Sequence, residues 1–351
     1  MKSKFSFLLV MLLTFGLFLA ACGEAEDGVD EGAEDAPDTE ETEDDAAEDD
    51  GEAAGDEMTR LQLGTGSTGG TYYPLGQEMA NVMNNHVEYE DFDVSSVSSG
   101  ASVDNLAQIS RGEMQLGMTV HLPAQDAING EGEFEGHAVE NVGFMGHIYP
   151  EVMQIVTTEG SGIESVEDLE GANVAIGPPG SGTQEAARLI LEAAGLEDGD
   201  YNAYEEGFGD AAGQIQDGNI DASFGLLGLP DSTIDELSNQ RDLRIISISD
   251  DILDEVEANS GYERMEIEAD SYDFMEESAM TVTAYAVLVG STDQVSEELG
   301  YEITRALYEN ADEISHTQGQ HTTKENVMNG SDDLPLHPGA ERYFEEEGLL
   351  D

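Results

Sequence analysis

The residues best suited to chemistry lie in Leu63-Gly-Thr-Gly-Ser-Thr-Gly-Gly-Thr-Tyr-Tyr-Pro-Leu-Gly76, where glycines are interleaved with hydroxyl side chains. The apolar run 61–63 leads into this stretch, and an apolar-periodic segment, 73–82, leaves it with Pro74 near its start. Proline suits a first helical turn, so the pattern predicts strand, glycine-rich turn, helix. That arrangement aims unpaired backbone N–H groups and the positive end of a helix dipole at one spot, which attracts an anion. No Lys or Arg lies in the stretch, so main-chain amides and hydroxyls must do the holding. Thr65, Gly66, Ser67, Gly69 and Gly70 are the candidate donors, and Tyr73 is the candidate wall against a ligand's carbon skeleton.

Two later loops repeat the design. An alternating segment, 92–97, runs into Ser98-Ser99-Gly100-Ala101-Ser102 and then a helically spaced segment capped by Ser102 or Asp104, so Ser99, Gly100 and Ser102 extend the same wall. A strand at 173–176 feeds Gly177-Pro-Pro-Gly-Ser-Gly-Thr183 and a helix at 184–194 stopped by Gly195. Ser181, Gly182 and Thr183 would then offer donors from a second domain.

Other chemistries fit less well. Gly64-x-Gly66-x-x-Gly69 satisfies the dinucleotide pattern, but Asp91 and Asp93 precede the second strand instead of closing it. The second glycine loop lacks the lysine that neutralises phosphates. Tight turns that need glycine for backbone angles alone remain the bland alternative for both loops. The seven histidines show no metal-ligand spacing, and neither Ser67 nor Ser181 sits in a Gly-x-Ser-x-Gly elbow. No nucleophile and base pair is recognisable. No metal, cofactor, catalytic residue or enzyme activity is therefore expected, with an extracytoplasmic hydrolase or an adhesive surface lipoprotein as the rival readings.

The elements that must position these loops alternate. Strands are expected at 114–119, 152–157, 201–204, 222–226 and 243–248, and 139–149 is an apolar run broken at Tyr149-Pro150; helices are expected near 210–216 and 231–237. Residues 281–289 form a long apolar strand read as the return to the first domain, followed by helices near 294–314 and at 338–347. The alternation argues for α/β layers with largely parallel sheets. Two α/β domains, each with a glycine-rich loop at a strand's C-terminal edge, suggest a ligand held between them.

Composition adds a setting. The 351 residues carry 78 Asp and Glu against 11 Lys and Arg, a net charge of −67. Such a surface repels nucleic acid and anionic lipid, and it suits a halophilic source, since screening shrinks to about 3 Å in molar salt. At the N-terminus Lys2 and Lys4 precede an apolar run, 5–19, that reads as an export signal. The run falls short of the about 20 residues that a membrane span needs. Leu19-Ala-Ala-Cys-Gly23 resembles the lipobox of bacterial lipoproteins, which implies removal of the segment before Cys22 and lipidation of Cys22 as a bilayer anchor. Cys22 is the only cysteine, so no internal disulfide exists. Residues 23–57 hold 19 acidic residues and no basic or aromatic ones. They read as a disordered acidic tether with a reach on the order of 100 Å.

The glycine motif, with Ser99-Gly-Ala-Ser-Val-Asp-Asn-Leu106, Tyr149-Pro-Glu-Val-Met-Gln-Ile-Val156, Gly177 to Thr183, Gly228-Leu-Pro230 and Pro335-Leu-His-Pro-Gly-Ala340, resembles the TAXI receptors, solute-binding proteins of TRAP transporters. Ser99 stands where that family often has Thr, and Pro179 thickens the second loop. The resemblance covers essentially everything after the tether. It implies a bilobed α/β fold of the periplasmic-binding-protein type (type II), with crossover segments near 149–153 and 281–286. One lobe would comprise 58–150 and 286–351, and the other 151–285. It further implies an extracytoplasmic receptor that delivers a small organic anion, such as glutamate or a dicarboxylate, to the membrane subunits of a TRAP permease.

Overall fold

Residues 58–350 are described by the computed structural model, so the expected signal, Cys22 and the acidic tether lie outside the described residues. Leu61 and Leu63 alternate into the core from β1 (Arg60–Gly64), and Leu75, Met79 and Met83 bury one stripe of α1 (Tyr72–His86). β2 (Asp93–Val97), α2 (Ser102–Ser110), β3 (Leu116–Val120) and α3 (His121–Asn129) continue the alternation before the long β4 (Val142–Thr158). A second series follows: β5 (Asn173–Ala175), α4 (Gly182–Ala193), β6 (Asn202–Tyr204), α5 (Phe208–Asp217), β7 (Ala222–Leu227), α6 (Ser232–Ser238), β8 (Leu243–Ile245), α7 (Asp250–Asn259) and β9 (Glu263–Ile267). The long β10 (Ala279–Ser291) then leads to α8 (Glu297–Glu309) and α9 (Pro338–Glu347). Among the described residues no helix is long and apolar enough to cross a membrane.

The strands run β2-β1-β3-β10-β4-β7-β5-β6, with β8 beside β4 and β9 beside β10. Pairing is parallel for β1 with β2 and β3, and for β5 with β6 and β7. The largely parallel sheet expected from the alternation is not what forms. β10 lies antiparallel to β3, β4 and β9, and β4 lies antiparallel to β7 and β8. The reason is that β4 and β10 run past one another in opposite directions, each joining both halves of the molecule. β10 pairs with β9 through residues 279–283 and with β3 through 286–290.

Those two strands make the molecule bilobed. One hydrophobic core combines β1, α1 and β3 with residues 286–289, α8 and α9. In the other lobe, Met153 and Ile155 of β4 enter one core while Val152 and Val156 enter another, as the alternation of a strand between two layers demands. The expected break at Tyr149-Pro150 does not occur: Pro150 pairs with Tyr285 inside β4. β7 begins to pair only at Val152, so the other flank of Pro150 has no ladder to interrupt.

Candidate functional site

The first glycine loop meets the second lobe through backbone. A Cβ built on Gly69 would stand 2.4 Å from Gly209 Cα, and one on Gly207 would stand 2.8 Å from Ser67 Cβ. Thr233 Oγ1 donates to the Gly69 carbonyl at 3.2 Å, Gly228 N–H donates to Thr71 Oγ1 at 2.9 Å, and Thr71 Oγ1 donates to Asp231 Oδ2 at 3.2 Å. On the opposite rim, the amides of Val103 and Asp104 share the Gly180 carbonyl at 3.0 and 3.3 Å. Gly182 abuts the first lobe, its missing Cβ falling 2.7 Å from Val120 Cγ2. The lobes are therefore closed on each other.

Between them lies a cavity of about 60 Å³. At ~10–15 Å³ per water-sized group it holds about four to six such groups, room for a small solute and far too small for a nucleotide. Gly66, Ser67, Gly70, Ser102, Ser181, Gly182 and Thr183 all line it, so the structure brings the three expected loops together. Thr65, Gly69, Tyr73, Ser99 and Gly100 do not line it. Tyr72 faces the cavity where Tyr73 was expected, and Phe208, Phe224 and Leu226 supply the apolar wall.

Counting donors narrows the set further. Thr65 gives both its amide and its hydroxyl to the Val97 carbonyl, at 3.0 and 2.7 Å. The amides of Gly70, Ser99 and Gly100 go to the Ser67 carbonyl, the Gly66 carbonyl and Asp104 Oδ2. Ser181 gives amide and hydroxyl to the Pro178 carbonyl, and its Oγ accepts from Gln184 N–H at 3.1 Å as the cap of α4. What remains for a ligand is Gly66 and Ser67 from the first loop, the Ser102 hydroxyl, and the Gly182 and Thr183 amides. The last two, in the first turn of α4, have no intrahelical acceptor. Ala101, also in the lining, sits at φ 73° and ψ −141°, a conformation that glycine normally occupies.

The largest departure from expectation is at the cavity floor. Glu151, from β4, is 2% exposed and its Oε1 has no well-aligned hydrogen-bond partner; the hydroxyls of buried Tyr72 and Tyr149 likewise lack one. The two rings meet edge to face, 6.2 Å between centroids. Burial pushes the Glu151 carboxyl up to about 8, with the Tyr72 hydroxyl pulling the other way. Burial and then the nearby Glu151 charge push both phenols well above their ordinary range. No Lys or Arg lines the cavity. Among the described residues no cluster of three or more His, Cys, Asp or Glu is arranged to hold a metal. The arrangement can bind a small polar solute: free amides, an apolar wall and the acids Glu151, Tyr72 and Tyr149 all line the one cavity.

Solved structures share this architecture. PhnD1 from Prochlorococcus marinus, determined in complex with methylphosphonate, superposes with a TM-score of 0.52 at 10% identity over 83% of this chain and 99% of that one. The binding-protein component of an ABC phosphonate transporter from Pseudomonas aeruginosa superposes with a TM-score of 0.50 at 10% identity, over 75% and 77%. At such identities the likeness concerns the fold, which is that of periplasmic binding proteins. The sequence match is more direct: the model of one family spans residues 63–348, both lobes and every loop around the cavity, and by that match the chain belongs to the NMT1-like family.

Proposed function

We propose that this chain is an extracytoplasmic solute-binding receptor of a TRAP transporter, without catalytic activity. It encloses a small organic anion, a glutamate-like amino acid or a dicarboxylate, between a lobe of residues 58–150 and 286–351 and a lobe of residues 151–285. It then hands the solute to the membrane permease, and Cys22 tethers it to the outer face of the membrane. One observation carries the reading: a small cavity lies where glycine loops from both lobes converge, with Gly182 and Thr183 of the first turn of α4 in its lining. Family membership and the binding-protein fold support the receptor class. The long ordered motifs from Gly64 to Gly76 and from Gly177 to Thr183 favour a TRAP permease as the partner. Amides and hydroxyls suffice energetically, since micromolar binding needs about 8 kcal/mol and a hydrogen bond to a charged group contributes roughly 1.5–3 kcal/mol.

The test is a thermal-shift screen in molar salt against dicarboxylates, amino acids, sulfonates and phosphonates, because a solute that binds only the folded state raises its melting temperature. A stabilising carboxylate is the expected result. Stabilisation by phosphonates alone would overturn the ligand class. Uptake into permease vesicles driven by an ion gradient without ATP is expected, and ATP-dependent uptake would overturn the TRAP assignment.

A further inference from the structure

The carboxyl at the cavity floor has no role in holding an anion through amides, and it is the least expected group there. Glu151 projects from β4 where β10 supplies Ala284 opposite it. Glu151, Tyr72 and Tyr149 all line the one cavity, and Glu151 Oε1, Tyr72 OH and Tyr149 OH are buried without a well-aligned hydrogen-bond partner, the Tyr72 hydroxyl standing close to the Glu151 carboxyl. A buried polar atom left unsatisfied is costly, and such atoms gathered on a cavity mark where a ligand supplies the missing partners. The charged or titratable groups whose influence reaches this corner are all oxygen acids: Tyr72 and Tyr149 beside Glu151, Tyr262 on the far side, and Asp231 near Tyr149. No basic side chain lines the cavity to claim the carboxylate.

We infer that Glu151, with the Tyr72 and Tyr149 hydroxyls, forms an ammonium subsite, so that the solute carries a primary ammonium as well as the carboxylate held at the loop amides. This assignment rests on the receptor reading above and chooses within it the amino acid over the dicarboxylate. An ammonium offers three N–H donors, and the Glu151 carboxylate with the two phenol oxygens can accept them. A carboxylate placed there would instead hold Glu151 in its protonated form, so an amine-free solute binds without releasing a proton.

Occupancy has a proton consequence. In the empty cavity at neutral pH the Glu151 carboxyl keeps its proton, because burial disfavours the anion. An arriving ammonium supplies the opposite charge, the Glu151 O–H bond breaks, the electron pair stays on the carboxylate, and the proton leaves to solvent. One ammonium enters and up to one proton departs.

The experiment is calorimetric titration of the folded chain in molar salt at pH 7.0, with matched pairs differing at the amine: L-glutamate and 2-oxoglutarate, L-aspartate and malate, taurine and isethionate. Titrations are repeated in two buffers of different ionisation enthalpy and with Glu151→Gln. The expected result is that the amine member of the bound pair wins at least tenfold, with release of more than half a proton. In E151Q its affinity falls at least 30-fold and the proton release disappears, while the amine-free partner is unaffected or binds more tightly. Equal or better binding of the amine-free partner by the wild type, or undiminished amine binding by E151Q, would overturn the subsite and leave the receptor reading standing. Silence from all three pairs alongside stabilisation by a different solute class would overturn both. Cooperative melting of E151Q shows that the variant is folded.

Discussion

Replacing Gly69 by Ala adds a single methyl where the two lobes touch backbone to backbone. The new Cβ would fall 2.4 Å from Gly209 Cα and 2.6 Å from Gly209 N. Ordinary carbon contacts begin near 3.5 Å, so the lobes must part by about 1 Å here. That displacement takes the Thr233–Gly69 bond at 3.2 Å, the Thr71–Asp231 bond at 3.2 Å and the Gly228–Thr71 bond at 2.9 Å beyond hydrogen-bonding range. At about 1 kcal/mol net each, the closed state loses about 3 kcal/mol, or roughly 100-fold in solute affinity. The assay is calorimetry with the best stabilising solute, paired with small-angle scattering to follow closure. Gly213→Ala, one turn along α5 from Gly209 with nothing within 4 Å of its added methyl, is the control and should bind as the wild type does. Wild-type affinity in G69A would refute the claim that this contact is part of closure. A collapse of its melting temperature to match the affinity loss would refute it too, by making Gly69 a folding residue.

Three further outcomes follow from the same coordinates. The Glu151 carboxyl titrates near 8 instead of its usual 4.5, so the empty protein keeps this contribution to stability below pH 4.5 and loses it as pH rises through 8. At 1.36 kcal/mol per decade the loss is on the order of 5 kcal/mol, so the stability advantage of Glu151→Gln over wild type in denaturant titrations should grow steeply from pH 5 to pH 9, and a constant difference would contradict it. Glu185 of α4 is pushed up to about 7 by burial and then by the charge of Asp126, on α3 of the other lobe; Glu185→Gln should therefore tighten solute binding above pH 7 and lose that gain toward pH 5, as paired titrations at the two pH values will report. Ala101→Gly should raise stability by about 1 kcal/mol, because it relieves a conformation that costs a non-glycine residue about 1–3 kcal/mol, and a lower melting temperature would contradict that.

Much of the site was legible because its signals are local. Glycine-rich turns between apolar runs announce themselves, and Ser181 caps α4 as a serine at that place should. The Pro338 start and Gly348 stop bracket α9 where expected. What the sequence concealed depends on long-range contact. Gly69 looked like an amide donor, yet its absent side chain is required by Gly209, some 140 positions away in the chain. Tyr72 and Tyr73 are indistinguishable as neighbours, and only the docking of α1 decides that Tyr72 turns inward. Glu151 is one of 78 acidic residues, next to a proline that reads as a strand break, and its burial exists only because β10 returns along β4. α7 and β9 went unanticipated because two acidic residues open the helix and polar positions fill the strand, while Ile252, Leu253 and Val256 bury just one narrow stripe.

The central claim is that a small solute occupies the cavity between the lobes. A crystal structure grown with the strongest stabiliser from the thermal screen tests it most directly. Ligand density is expected between Gly66 and Gly182, with a carboxylate on the Gly182 and Thr183 amides and the other end within hydrogen-bond reach of Glu151. Density elsewhere on the surface, or an empty cavity beside a stabilised protein, would contradict it.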